Sequence, residues 1–205
     1  MISVTQRRVC GLCLRPQSTC ICQWVRPTDH VVEVWVLQHP MEEHHAKGSA
    51  RLLHLSLPHS RLQVGEAFTA PVWPVDGKHT LLLYPDTPLD TAPDLRAPPL
   101  LPAELLQHPS QLRLVVLDGT WRKSRKMLYQ SPPLQQLPRL ALRGMPPSHY
   151  RIRKAHLPDQ LSTLEATCAA LAQLEGGEQE GGDRFGPLLA AFDGFVAQQA
   201  GYRPG

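Results

Sequence analysis

The stretch Leu114-Val115-Val116-Leu117-Asp118-Gly119-Thr120-Trp121-Arg122-Lys123-Ser124-Arg125-Lys126-Met127 decides how the chain folds. Its first four residues are aliphatic without a polar break, the pattern of a strand covered on both faces. An acid ends the run, a glycine frees the backbone to turn or to approach a ligand closely, and a tryptophan opens a helix bearing four cations. Outward from this segment, Val31-Val32-Glu33-Val34-Trp35-Val36-Leu37, Thr80-Leu81-Leu82-Leu83-Tyr84 and 112–117 repeat the strand pattern. Helices are expected over 42–57, where Ala46, Ala50, Leu53 and Leu57 fall at helical spacing, and over 121–129, 161–174 and 185–199, with a helical turn around 103–107. Alternating strands and helices imply an α/β domain on a largely parallel sheet, with ligands at the carboxyl ends of the strands. Three such ends carry chemistry: Gln38-His39-Pro40, Pro85-Asp86, and Asp118-Gly119-Thr120-Trp121.

A chain of 205 residues with 42% apolar and 19% charged residues can bury one sizeable core. No run approaches the roughly 18 apolar residues of a membrane span. The opening residues, 1–8, lack the apolar core of a secretory signal, so no membrane and a cytoplasmic location are expected. Net charge is only +3, yet residues 111–156 hold 10 basic and one acidic side chain, while 157–205 hold 2 and 7. That segregation fits a protein that presents one face to a polyanion, and it also fits a well-solvated surface. Prolines number 21, seven of them within 85–109, which reads as a long surface connection; 175–183, rich in Gly and Glu, reads as a loop between helices.

Four of five cysteines lie in Cys10-x2-Cys13-x6-Cys20-x-Cys22. Four thiolates close a tetrahedral shell around zinc and hold a loop too short for its own core, so a structural zinc ion is the preferred reading. An unmetallated or redox-active cluster remains the alternative, because Cys-x-Cys is less regular than Cys-x2-Cys. Residues 1–28 are therefore set apart as a zinc-binding segment from a domain of 29–205. Cys168, on the apolar side of a helix, reads as packing. Ser162-Thr163-Leu164-Glu165 matches the capping box, in which Ser and Glu side chains satisfy backbone amides at a helix start. Taken singly, Asp118 also fits a helix cap or ion pair, Trp121 a core residue, and 122–126 a solvated face.

Asp118-Gly119-Thr120-Trp121 resembles the motif that names the DTW-domain family, the tRNA-uridine aminocarboxypropyltransferases. The cysteine cluster, Gln38-His39-Pro40-x-Glu42, Leu83-Tyr84-Pro85, Ser148-x-Tyr150-Arg151-Ile152-Arg153-Lys154 and Leu161-Ser162-Thr163-Leu164-Glu165-Ala166 resemble the same family in the same order, over about residues 10–170. The resemblance implies a SPOUT-like α/β fold, with the C-terminal half open to being knotted. It further implies transfer of the 3-amino-3-carboxypropyl group of S-adenosylmethionine to N3 of a tRNA uridine, with release of 5′-methylthioadenosine. A methyltransferase of similar fold and a non-catalytic zinc-containing RNA-binding module are the alternatives.

In such an enzyme Asp118 would be a general base for the imide proton or an electrostatic anchor for S-adenosylmethionine. Arg153 and Lys154, with Tyr150, suit that molecule's carboxylate. Leu83, Tyr84, Pro85, Gly119, Thr120, Trp121, Ser162, Thr163 and Glu165 complete its expected pocket. Arg122, Lys123, Arg125 and Lys126 are expected to hold tRNA phosphates, binding without reading bases. His39 and Glu42 suit either the pocket wall or a structural role.

Overall fold

A computed structural model describes residues 8–86, 97–143, 161–176 and 183–201. The apolar runs form strands β1 (Glu33–Gln38), β3 (His79–Leu83) and β4 (Leu112–Asp118), joined by two strands that the sequence pattern does not reveal, β2 (Ser60–Val64) and β5 (Arg139–Leu140). The five form one parallel sheet in the order β2-β1-β4-β3-β5. β4 lies at its centre with all seven residues buried. β2 and β5 are the edges: three of the five β2 residues are exposed, and β5 is two residues long, so neither needs a continuous apolar run.

Alternation along the central strands divides the core in two. Val34 and Val36 of β1, Leu81 of β3 and Leu114 and Val116 of β4 face α1 (Ala50–Ser56), α4 (Thr163–Glu175) and α5 (Gly186–Gly201). Trp35, Leu37, Leu82, Val115 and Leu117 face the other way, onto Met127 and Leu128 of α2 (Trp121–Gln130) and Leu134 of α3 (Pro132–Gln135). Burial on both faces is why these strands read as unbroken apolar runs. The exception is Arg113, 1% exposed, whose guanidinium meets Glu33 at 2.9 Å and Asp76 at 2.5 Å.

The α/β expectation holds, and three helices lie where periodicity puts them. The helix expected over 42–57 is shorter. A 3-10 turn at Pro40–Glu42 and further turns precede α1, which starts at Ala50. The 3-10 turn at Ala103–Gln107 matches the expected helical turn. Residues 144–160 of the C-terminal half, the half open to being knotted, lie outside the described residues, as does 177–182 of the expected loop. Among the described residues no helix is long and apolar enough to cross a membrane.

The cysteine segment is seated on the same core. Cys13 and Ile21 are buried in the cluster that contains Phe192 and Phe195 of α5. Arg15 donates to the carbonyls of Ala46 at 2.6 Å and Gly48 at 3.2 Å and lies 5.2 Å from the Phe195 ring centroid. The Trp24 indole donates to Gln198 Oε1 and lies across Gly194, where any Cβ would collide with the ring. Glycine in a helix interior costs up to about 1 kcal/mol relative to alanine, so its presence here answers to Trp24. Gly194→Ala is therefore expected to lower stability by about 1–3 kcal/mol in denaturant unfolding, in spite of the better helix former.

Candidate functional site

Because the strands run in one direction, their C-terminal ends share one edge, and the register sets Gln38 beside Asp118. Gln38 Nε2 donates to Asp118 Oδ2 at 2.8 Å, and the Thr163 hydroxyl, in the first turn of α4, donates to Oδ1 at 2.6 Å. The main chain repeats the link, with the His39 amide donating to the Asp118 carbonyl at 2.9 Å. Asp118 is 6% exposed and ties two strands to a helix start, whose partial positive charge suits an anion.

The capping box holds Thr163 in place. Ser162 Oγ accepts from the Glu165 amide at 3.2 Å, and Glu165 Oε2 accepts from the Ser162 amide at 2.7 Å. Both side chains are thus engaged in shaping the helix start. Gly119 is not in the left-handed region. What it provides is closeness, since a Cβ there would lie 3.1 Å from Lys123 Cβ and 3.4 Å from Ser124 Oγ. Thr120 caps α2, accepting from the Lys123 amide at 3.4 Å.

Leu83 ends β3, and Tyr84 and Pro85 follow it along the same edge. Tyr84, 4% exposed, stacks on Trp121 with ring centroids 5.1 Å apart and planes 20° from parallel. Arg139, which the sequence reading did not single out, places its guanidinium 5.3 Å from the Tyr84 centroid. Burial nevertheless pushes the Tyr84 phenol up to about 12. Its hydroxyl is buried with no hydrogen-bond partner among the described residues.

The four cations of α2 are not equivalent. Lys123 pairs with Glu42 at 2.7 Å, and Lys126 pairs with Glu66 at 2.6 Å. Glu66 also meets His39 Nε2 at 3.2 Å, while His39 Nδ1 accepts from the Met41 amide at 3.2 Å, which assigns the ring proton to Nε2. Hydrogen bonds from Lys126 and His39 hold the Glu66 carboxyl below the usual range. Glu66 carries no sequence signal, because it comes from the loop after an edge strand. Arg122 and Arg125 are exposed and make no ion pair among the described residues. Tyr150, Arg153 and Lys154 lie outside the described residues. A cavity of about 520 Å³ bounded by Glu33, His59, Arg61 and Lys78 opens at the opposite, N-terminal edge of the sheet, away from Asp118.

Cys10, Cys13, Cys20 and Cys22 converge, their Sγ atoms all within 4.8 Å of one another, with Cys10–Cys22 at 3.6 Å and Cys13–Cys20 at 3.8 Å. Four thiolates about 2.3 Å from a tetrahedral zinc ion would be roughly 3.8 Å apart, so the set could hold a metal. The turn between the first two ligands and Arg15 is tight enough to put Leu14 in the left-handed region at φ 58°. The Cys13 and Leu12 amides draw the Cys10 thiol down to about 6, whereas burial pushes Cys22 up to about 12.

If the Asp118 carboxylate clamps the site, Asp118→Asn must fail as a substitute, because an amide accepts at one atom only and opposes a donor with the other. The expected cost is about 1–3 kcal/mol in urea unfolding, with Thr163→Val costing less. Unchanged stability of the Asn variant would remove the clamp.

Curated relatives are similar over most of the chain. The tRNA-uridine aminocarboxypropyltransferase 2 of Mus musculus is 30% identical over 181 residues, covering 83% of this chain and 57% of the relative. That of Drosophila melanogaster is 30% identical over 181 residues, covering 83% and 68%. The tRNA-uridine aminocarboxypropyltransferase A of Arabidopsis thaliana is 30% identical over 138 residues, covering 62% and 52%. The chain thus spans little more than half the length of the mouse protein. No solved structure matches it. The sequence pattern of the DTW domain matches residues 7–200, an interval that contains the cysteine cluster, the Asp118 clamp and α4, and the chain belongs to the DTW domain family.

Proposed function

We propose that this chain transfers the 3-amino-3-carboxypropyl group of S-adenosylmethionine to N3 of a uridine in tRNA. The observation that carries the reading is the meeting of three distant segments, at Gln38, Asp118 and Thr163, on one carboxylate at the carboxyl edge of a parallel sheet. That edge is where α/β folds bind small molecules. The names of the mouse, fly and plant relatives give aminocarboxypropyl transfer to a tRNA uridine, which supports the reading.

S-adenosylmethionine would supply a sulfonium-activated γ-carbon. The transfer would form the bond from uracil N3 to that carbon, break the carbon–sulfur bond with its electron pair leaving on sulfur as 5′-methylthioadenosine, and release the N3 proton to water. With each carboxylate oxygen already accepting from a protein donor, Asp118 suits an electrostatic anchor for the amino or sulfonium cation better than a base that must turn toward the uracil. Leu83, Tyr84, Pro85, Gly119 and Thr120 border the same edge, and Ser162 and Glu165 act through Thr163. Arg153 and Lys154, with Tyr150, supply donors for the carboxylate of the transferred group. Four unbridged thiols in the cysteine cluster suit structural zinc and a reducing compartment, the cytoplasm.

Incubation with tRNA and S-adenosylmethionine should yield 5′-methylthioadenosine and an aminocarboxypropyl-uridine by nucleoside mass spectrometry. Release of S-adenosylhomocysteine would mean methyl transfer, and tRNA binding with no affinity for S-adenosylmethionine would mean a binding module. Asp118→Ala should lose turnover and S-adenosylmethionine affinity while keeping tRNA affinity.

Metal analysis of the purified chain should return one zinc per molecule. Cys13→Ser should lose it and melt at lower temperature, since the ligand loop is packed on α5. A chain that is metal-free and equally stable would exclude the zinc.

A further inference from the structure

The outward surface of α2 carries more than charge. Successive helical residues are about 100° apart, so positions 121 and 125 lie about 40° apart and position 122 lies about 100° from 121. Ser124, Met127 and Leu128, about 60°, 120° and 20° from position 121 in the opposite sense, are buried. Trp121 therefore sits at the margin of the buried face, with Arg125 and then Arg122 on its solvent side, and it is 50% exposed. Behind it stands Tyr84, itself 4% exposed, so the indole is braced by a ring that has no room to move. Beside this half-open aromatic stand two cations that make no ion pair among the described residues, whereas Lys123 and Lys126 are both matched with acids.

We infer that Trp121, backed by Tyr84, is a stacking platform for one unpaired base of the RNA substrate, with Arg122 and Arg125 holding the adjoining phosphates. The inference rests on the tRNA-modifying reading above and moves Trp121 from the S-adenosylmethionine pocket to the RNA. An adenosine group is taken up by backbone donors and acceptors in an enclosed slot. An open indole with guanidinium groups along one side suits a splayed-out nucleotide, whose base needs only a π-face and whose adjoining phosphates need nearby cations. The braced ring gives up little freedom on binding, which lowers the cost of stacking, and a π-face accepts any base. With two cations of α2, and not four, making no ion pair among the described residues, the phosphate footprint is short, as for a nucleotide in a loop and not a duplex laid along the helix.

The test uses the full chain, a labelled tRNA and a short oligouridine, with affinity read by fluorescence anisotropy from 50 to 200 mM salt on the scale of counterion release. Trp121→Ala should weaken both RNAs roughly 5- to 100-fold without changing the salt slope, as expected for loss of one stacked base. Trp121→Phe should recover most of the affinity, and Trp121→Leu, which keeps apolar bulk without a π-face, should not. Arg122→Ala and Arg125→Ala should each flatten the salt slope by about 0.7–0.9. By calorimetry, Trp121→Ala should bind S-adenosylmethionine within about twofold of the parent. The platform is overturned if Trp121→Leu binds RNA as tightly as Trp121→Phe, or if Trp121→Ala loses S-adenosylmethionine affinity and keeps RNA affinity. The phenylalanine–leucine comparison stands even where the alanine variant folds poorly. A chain that shows the stacking pattern yet releases no 5′-methylthioadenosine sinks the transferase reading alone.

Discussion

The contact of Gln38 and Thr163 with the Asp118 carboxylate organises everything around it. It exists because β1 and β4 are parallel neighbours in a register that pairs Gln38 with Asp118, so the polar ends of two apolar strands finish side by side. A buried carboxylate without donors would be costly, and here both oxygens are satisfied by residues from different elements. The capping box at Ser162 and Glu165 sets the helix start that delivers Thr163. Loss of any one partner would leave a buried polar group exposed to the others' geometry, which makes the edge a single unit.

Around this unit the charges are sorted. Glu42 and Glu66 come from the loops after β1 and β2 and reach across to α2, taking up two of its four cations. His39 joins the second pair through Nε2, so the loops at the carboxyl edge are fastened to the helix that follows β4. The local excess of basic residues in the sequence therefore divides between scaffold and surface. Lys123 and Lys126 mainly fasten the site, and Arg122 and Arg125 remain turned to solvent beside Trp121.

The cysteine segment shows the same economy of construction. Cys13 and Ile21 belong to the principal core, and Trp24 is set against the bare backbone of Gly194. Arg15 bridges the segment to the loop before α1 and to Phe195 of α5. The ligand loop thus rests on the body of the protein, and the closing of the loop and the seating of α5 are mechanically connected.

Much of this was readable in advance. The unbroken apolar runs of β1, β3 and β4 announced strands buried on both faces, the Ser162–Glu165 pattern announced its helix start, and four close cysteines announced a cluster, because each depends on residues near in sequence. Ser60–Val64 and Arg139–Leu140 were not readable, since an edge strand is defined by its neighbour's free hydrogen bonds and not by its own hydrophobicity. Nor was the pairing of Lys123 and Lys126 with Glu42 and Glu66, or the brace of Tyr84 behind Trp121. The chain by itself determined which residue types stand at the strand ends. Only the tertiary structure decided which of them touch, because contacts across 45, 80 or 81 positions of sequence follow from strand order and register, which no local pattern encodes.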